Sequence, residues 1–177
     1  MATDTQKMTE ACMAAGKLAP QHELLRNFEG TWRAEVKMWM GPGPETGAEP
    51  MVSHGTMETS LIFGGKFLEQ AYRDDSGMFE GKGYLGYNTV EQRWEAFWID
   101  TMATFMMTEH GQHDESTKSW TMVDELRDPG SGHMMKKRTL VTLHDDGTNR
   151  METWFTPSAG PNAGKESKCM EINYTKA

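Results

Sequence analysis

Two histidines three apart, His110-Gly111-Gln112-His113, have the spacing at which two imidazoles can share one metal ion. No third ligand lies near them, so they are expected to be exposed histidines at a turn, and no metal is expected. His54, His133 and His144 fall at strand or turn ends with no pairing signal. Cys12 and Cys169 are far apart and form no CxxC, which suits reduced thiols and not a disulfide framework or a zinc site. Nucleophile motifs of the G-x-S-x-G and S-x-x-K kinds are missing, so no catalytic residue is assigned. Gly81-x-Gly83-x-x-Gly86 spells a dinucleotide fingerprint, but no helix follows it to hold a pyrophosphate. Its glycines are better explained by close packing where a sheet curves. Carboxylates remain: Glu69, Asp100, Glu152 and Glu171 sit in or beside apolar runs. One that points into a closed interior could act as an acid or hold a cationic ligand.

The elements that must position these groups are β-strands. Trp32, Ala34, Val36 and Met38 alternate with Arg33, Glu35 and Lys37, the pattern of a half-buried strand. Further strand-like runs follow near 52–63, 66–73, 79–87, 92–99, 103–111, 118–126, 133–143, 148–156 and 165–176. Turn chemistry separates them, as in Gly64-Gly65, Asp74-Asp75-Ser76-Gly77, Asp128-Pro129-Gly130 and Asp145-Asp146-Gly147. About ten short strands without intervening helices make an antiparallel up-and-down meander. Such a meander exposes two edges unless it closes, so the expected fold is a closed all-β barrel. Before it, residues 1–19 form a tail. Met8, Ala11, Cys12 and Ala15 make one stripe of a short helix, Thr3 and Gln6 spell a capping box, and Gly16 and Pro20 end it. So small an apolar face needs a surface to dock on, either the barrel or a neighbouring chain. A second short helix is expected from His22 to Phe28, leading into the barrel domain of residues 20–177.

Composition narrows the partners. A net charge of −8, with 26 acidic against 18 basic residues, argues against nucleic acid, and the longest basic run is Lys136-Lys137-Arg138. No stretch approaches the roughly 18 apolar residues of a membrane span. The N-terminus lacks the charged and apolar regions of an export signal, so a cytoplasmic location is expected. The apolar bulk is unusual: 16 Met and 6 Trp stand where Leu, Ile and Val are sparse. A lining rich in unbranched, polarizable Met adapts to varied apolar shapes, although Met also serves as ordinary core.

Several words in the chain carry a resemblance. They are Gly30-Thr31-Trp32, Phe63-Gly64-Gly65-Lys66-Phe67-Leu68, Gly83-Tyr84-Leu85-Gly86-Tyr87-Asn88, Trp98-Ile99-Asp100-Thr101-Met102, and the terminal Met170-Glu171-Ile172-Asn173-Tyr174-Thr175-Lys176. Together, over about residues 22–177, the chain resembles a bacterial family of uncharacterised calycin-like β-barrels, related in fold to lipocalins, fatty-acid-binding proteins and nitrobindins. The resemblance implies that Trp32 closes one end of the barrel under a basic side chain from the last strand. Lys176, in phase with Met170, Ile172 and Tyr174, is that side chain, where the family more often has Arg. Nitrobindins extend Gly-x-Trp with further glycines, whereas Arg33, Ala34, Glu35 and Val36 follow here. Haem is therefore not expected, nor any other cofactor.

A barrel of this size can hold one small molecule. Alternation and apolar bias select Met38, Tyr72, Trp98, Met106, Met122 and Trp154 as inward ligand-binding residues. Arg138, in phase with Met134 and Leu140, is the polar one. An inward guanidinium calls for an acidic partner, so the expected ligand is apolar or amphipathic with an acidic head. Two alternatives stand beside this reading. One is an assembly subunit with a filled barrel, whose N-terminal helix in residues 1–19 docks on a second copy in a homo-oligomer or on another chain of an assembly. The other is an enzyme using an interior carboxylate with Tyr72 or Arg138.

Overall fold

The structure, a computed structural model, describes residues 3–41 and 43–177. Ten strands form the barrel: β1 (Gly30–Met38), β2 (Met51–Ile62), β3 (Phe67–Asp74), β4 (Glu80–Asn88), β5 (Arg93–Asp100), β6 (Met107–Asp114), β7 (Ser119–Arg127), β8 (Met134–Leu143), β9 (Asn149–Pro157) and β10 (Ser167–Lys176). Each pairs antiparallel with its neighbour in sequence, and β10 pairs with β1, so the sheet closes with no free edge. The local reason is the turn chemistry. At the β2–β3 hairpin, for example, Phe63, Gly64 and Gly65 all have positive φ, and two glycines take most of that strain.

One strand departs from the expectation. The run near 103–111 becomes β6 only from Met107, because Asp100 diverts the chain just after β5. Its Oδ1 accepts the Met102 N–H at 2.9 Å, a side-chain bond that replaces ladder pairing and makes residues 101–106 a loop. Another departure concerns His110 and His113, which lie within β6 and not at its end.

The two ends of the barrel are built differently. A 3-10 helix, Pro20–Phe28, caps the end where β1 starts. Pro20 presets its first turn, and Leu25 and Phe28 insert into the barrel beside Leu68, Trp94, Trp120 and Met122, all buried. The rings meet edge to face, Phe28 on Trp120 at 5.1 Å and Trp94 on Trp120 at 5.7 Å. Trp32 completes this end. Its Nε1 donates to the Phe28 carbonyl at 2.7 Å, while Lys176 Nζ lies 3.7 Å from its ring centroid and donates to the Glu29 carbonyl. Above it, Ala34, Val36, Met57, Tyr72, Ile172 and Tyr174 fill one side of the interior. The far end carries the loops 39–50, 75–79, 101–106, 128–133 and 158–166; the 39–50 loop holds a single 3-10 turn, Pro44–Thr46, with no buried residue.

The tail forms α1 (Asp4–Ala15), with the Thr3–Gln6 capping box in place and Gly16 as its C-cap. None of its side chains is buried, and Met8 and Met13 stay about two-thirds exposed. It meets the barrel at its last turn, where Thr89 Oγ1 donates to the Ala15 carbonyl at 3.1 Å. The apolar stripe is therefore not docked on the barrel. No helix among the described residues is long and apolar enough to cross a membrane.

Candidate functional site in the open half of the barrel

Strand register fixes which side chains face inward. On β7, buried Trp120 and Met122 alternate with exposed Thr121 and Val123, so Trp120, Met122, Asp124 and Leu126 line the interior. β7 pairs Met122 with Thr139 and Asp124 with Lys137, so the inner positions of β8 are Met135, Lys137, Thr139 and Val141. β6 alternates cleanly and contributes Met107, Glu109, Gly111 and His113. In the capped half Leu68, Trp94, Trp120 and Met122 are buried, Trp94 and Trp120 at 1% exposure, while His113 and Val141 are half-buried. Toward the loop end Gln70, Trp98, Met107, Glu109, Asp124 and Met170 face the same interior and remain partly exposed, while Val36, Tyr72, Thr153 and Ile172 are buried there. Water thus reaches the inner wall from the loop end.

At the floor of this open half sits a polar cluster. Lys137 Nζ lies 3.3 Å from Glu109 Oε1, with the two side chains 11% and 14% exposed. Thr139 Oγ1 donates to the same Glu109 oxygen at 2.6 Å. Thr153, directly across the ladder from Thr139, is 2% exposed, and its hydroxyl has no hydrogen-bond partner among the described residues. Cys169 sits at the bulge in β10 and donates to the Thr153 carbonyl at 3.3 Å. Burial pushes its thiol up to about 11, and the nearby Lys137 charge offsets only part of that. The sulfur is therefore a protonated thiol at neutral pH and not an activated nucleophile.

Trp98 forms the apolar part of this inner wall, packed beside the cluster of Trp32, Val36 and Tyr72. Its indole lies flat over β4, where a Cβ on Gly81 would fall 2.2 Å from Cζ2 and one on Gly83 2.6 Å from Cε3. Only glycine leaves room for that approach, which is the physical content of the Gly-x-Gly spelling. Asp100 holds the indole by accepting its Nε1–H at 3.1 Å.

Several expected residues take other places. Arg138 is on the outer face, opposite Val123 on one side and Trp154 on the other. Its guanidinium stacks on Trp154 at 3.8 Å and forms two 2.7 Å hydrogen bonds to Glu166. Trp154 is therefore outside as well. The apolar neighbours Met134 and Leu140 do share a face with Arg138, but that face covers charged groups and not the interior. Met106 lies in the 101–106 loop and is 70% exposed. Met38 keeps the inward phase at the loop end and is 37% exposed. Tyr72 and Met122 face inward and are buried, Met122 within the capped half; burial and then Asp74 push the Tyr72 phenol up. Among the carboxylates, Asp100 faces inward. Glu69 is outside, accepting from Tyr84 Oη at 3.0 Å. Glu152 and Glu171 are also outside, tied to Lys168 and Arg150. His110 and His113, an odd number of residues apart on one strand, face opposite ways, and His113 stacks on Trp120 at 4.1 Å. They cannot share a metal, and no group of three or more possible ligands occurs among the described residues.

Glu109, Lys137, Thr139 and Thr153 are residues the sequence reading passed over. The signal that identifies them is the register: strong alternation on β7 determines the inner phase of β8 through the hairpin at Asp128-Pro129-Gly130. Apolarity alone selects the opposite phase.

Comparison with curated proteins yields no match to the chain. Residues 17–176, which take in the capping 3-10 helix, Trp32 and all ten strands, match the family described as protein of unknown function (DUF1579), and the chain belongs to that family.

Proposed function

We propose that this β-barrel binds one small amphipathic molecule in its open half, tail against Trp98, Met107 and Met170 and head toward Glu109 and Lys137. The observation that supports the reading is the contrast in exposure along a single inner wall. Trp94 and Trp98 lie four residues apart on β5 in the same phase, one dry under the helical cap and the other wetted from the loop end. A wetted wall with convergent polar groups at its floor is the usual form of a ligand site. The polar head expected from the sequence changes in this reading. Arg138 is committed to Glu166 outside, while Asp100, Asp124 and Glu109 outnumber Lys137 inside, so an acidic head has no free cation to meet.

The test uses Nile red, an uncharged apolar dye, on delipidated protein. A saturable blue shift is expected, and it should be abolished in Met107→Trp, which places a large ring on the inner wall opposite Trp98. The melting temperature of that variant should hold, because Met107 belongs to neither packed cluster and its wall keeps partial exposure. Absence of a saturable shift, or a variant that loses several degrees through overpacking, would contradict an open interior.

A further inference from the structure

The floor cluster has a definite chemical bias. The pair Glu109–Lys137 is internally neutral, and its members are committed to each other at 3.3 Å. Lys137 keeps N–H donors beyond the one aimed at Glu109. Glu109 spends Oε1 on both Lys137 and Thr139, which leaves Oε2 as an acceptor. Beside them stands the buried Thr153 hydroxyl, able to donate and accept, with no partner among the described residues. A buried hydroxyl left in that state destabilises the fold, so its retention in the free protein needs a reason.

Resting on the binding reading above, we infer that Glu109, Lys137, Thr139 and Thr153 form a head-group subsite for an uncharged group that carries an acceptor beside a donor, as a primary amide does. The carbonyl oxygen of such a head accepts from Lys137, its N–H donates to Glu109 Oε2, and the Thr153 hydroxyl completes the set. A carboxylate head meets Glu109 at contact distance with Asp124 opposite Lys137 on the ladder. An ammonium head meets Lys137. Each charged head therefore brings a like charge against a partly buried group, a repulsion the neutral head avoids. Aliphatic length is set by the distance to the rim and is not part of the inference.

The experiment compares octanamide, octanoate and octylammonium as displacers of Nile red, with wild type and Thr153→Val. Octanamide should displace the dye at a concentration about tenfold or more below either ion, a difference of about 1.4 kcal/mol. Thr153→Val keeps shape and removes the hydroxyl. It should weaken octanamide about fivefold while raising the melting temperature of the free protein, because an unpartnered buried hydroxyl is gone. A hydroxyl with a purely structural role moves the melting temperature downward and leaves the three displacers unchanged. Glu109→Gln should narrow the gap between octanamide and octanoate by removing the repelling charge. Dye binding with no preference among the three heads, or with octanoate preferred, overturns the head-group assignment and leaves the binding reading standing. Failure of the dye to bind removes both.

Discussion

Trp94 and Trp98 occupy equivalent phases on one strand and have opposite fates. Trp94 sits in an apolar cluster with Leu25, Phe28, Leu68, Trp120 and Met122, where the helical segment fills what the barrel would leave empty. Trp98 lies across two glycines, held by a carboxylate, where Met107, Glu109 and Asp124 on the inner wall keep partial exposure. The same barrel therefore carries an aromatic core under its helical cap and, toward the loop end, an inner wall that keeps partial exposure on one side. What differs is the material that covers it, a 3-10 helix rich in large apolar groups against loops that leave the rim open. Stability is concentrated where the wall is dry, and chemistry is available where polar groups line a wet floor.

The largest test of this division is a pair of truncations. Trp94→Ala should cost roughly 3–5 kcal/mol, as for a large aromatic lost from a packed core, read as a lower denaturant midpoint at unchanged slope. Trp98→Ala should cost about half as much, because part of its surface already faces water, yet it should weaken Nile red binding strongly. Equal stability losses would erase the distinction between the two ends.

A smaller effect is expected from the floor pair. Lys137→Met leaves Glu109 without its cation and should destabilise by roughly 2 kcal/mol, less than a fully buried pair because both groups retain some solvent. Adding Glu109→Leu should recover most of that loss, because no charge then remains uncompensated. A double variant no more stable than the single one would mean that the pair supports the fold through more than its mutual charge.

The smallest effect is a pH dependence confined to the capped end. Burial holds the His113 imidazole below its ordinary range, so the folded protein binds fewer protons there than the unfolded chain does. Stability should therefore fall as pH drops below about 6.5, and the part due to this group should disappear in His113→Phe. Thermal melts of both proteins across pH 5 to 7 should show curves that converge at the upper limit and separate toward the lower. Parallel curves would place the acid sensitivity elsewhere.

Much of the architecture is readable from the chain. Alternation and turn residues mark the strands, and the Gly30-Thr31-Trp32 word marks the closing end, where Lys176 stacks on Trp32 at 3.7 Å. The site is far less legible. Apolar bias selects Leu140, Met134 and Trp154 as the inward phase of β8 and β9, and all three lie outside. That assignment fails because the outer wall here uses apolar groups to shield ion pairs such as Arg138–Glu166, while the inner wall uses Lys137, Thr139 and Thr153. A site inverts the usual rule of apolar in and polar out, so polarity misleads at the positions that matter most. The start of β6 was misplaced for a related reason, since the Asp100 side chain competes with the ladder in a way no periodicity records.

The methionines supply the most direct measurement. All 16 can be labelled at the methyl carbon and followed by two-dimensional NMR while octanamide is added to wild-type protein. The account predicts saturable shifts concentrated at Met107, Met135 and Met170, on the wall of the open half, with Met8 and Met13 of α1 unchanged and Met122 in the capped half scarcely moved. Shifts confined to Met8 and Met13, or no shift at the three inner methyls up to the solubility limit of the amide, would contradict it.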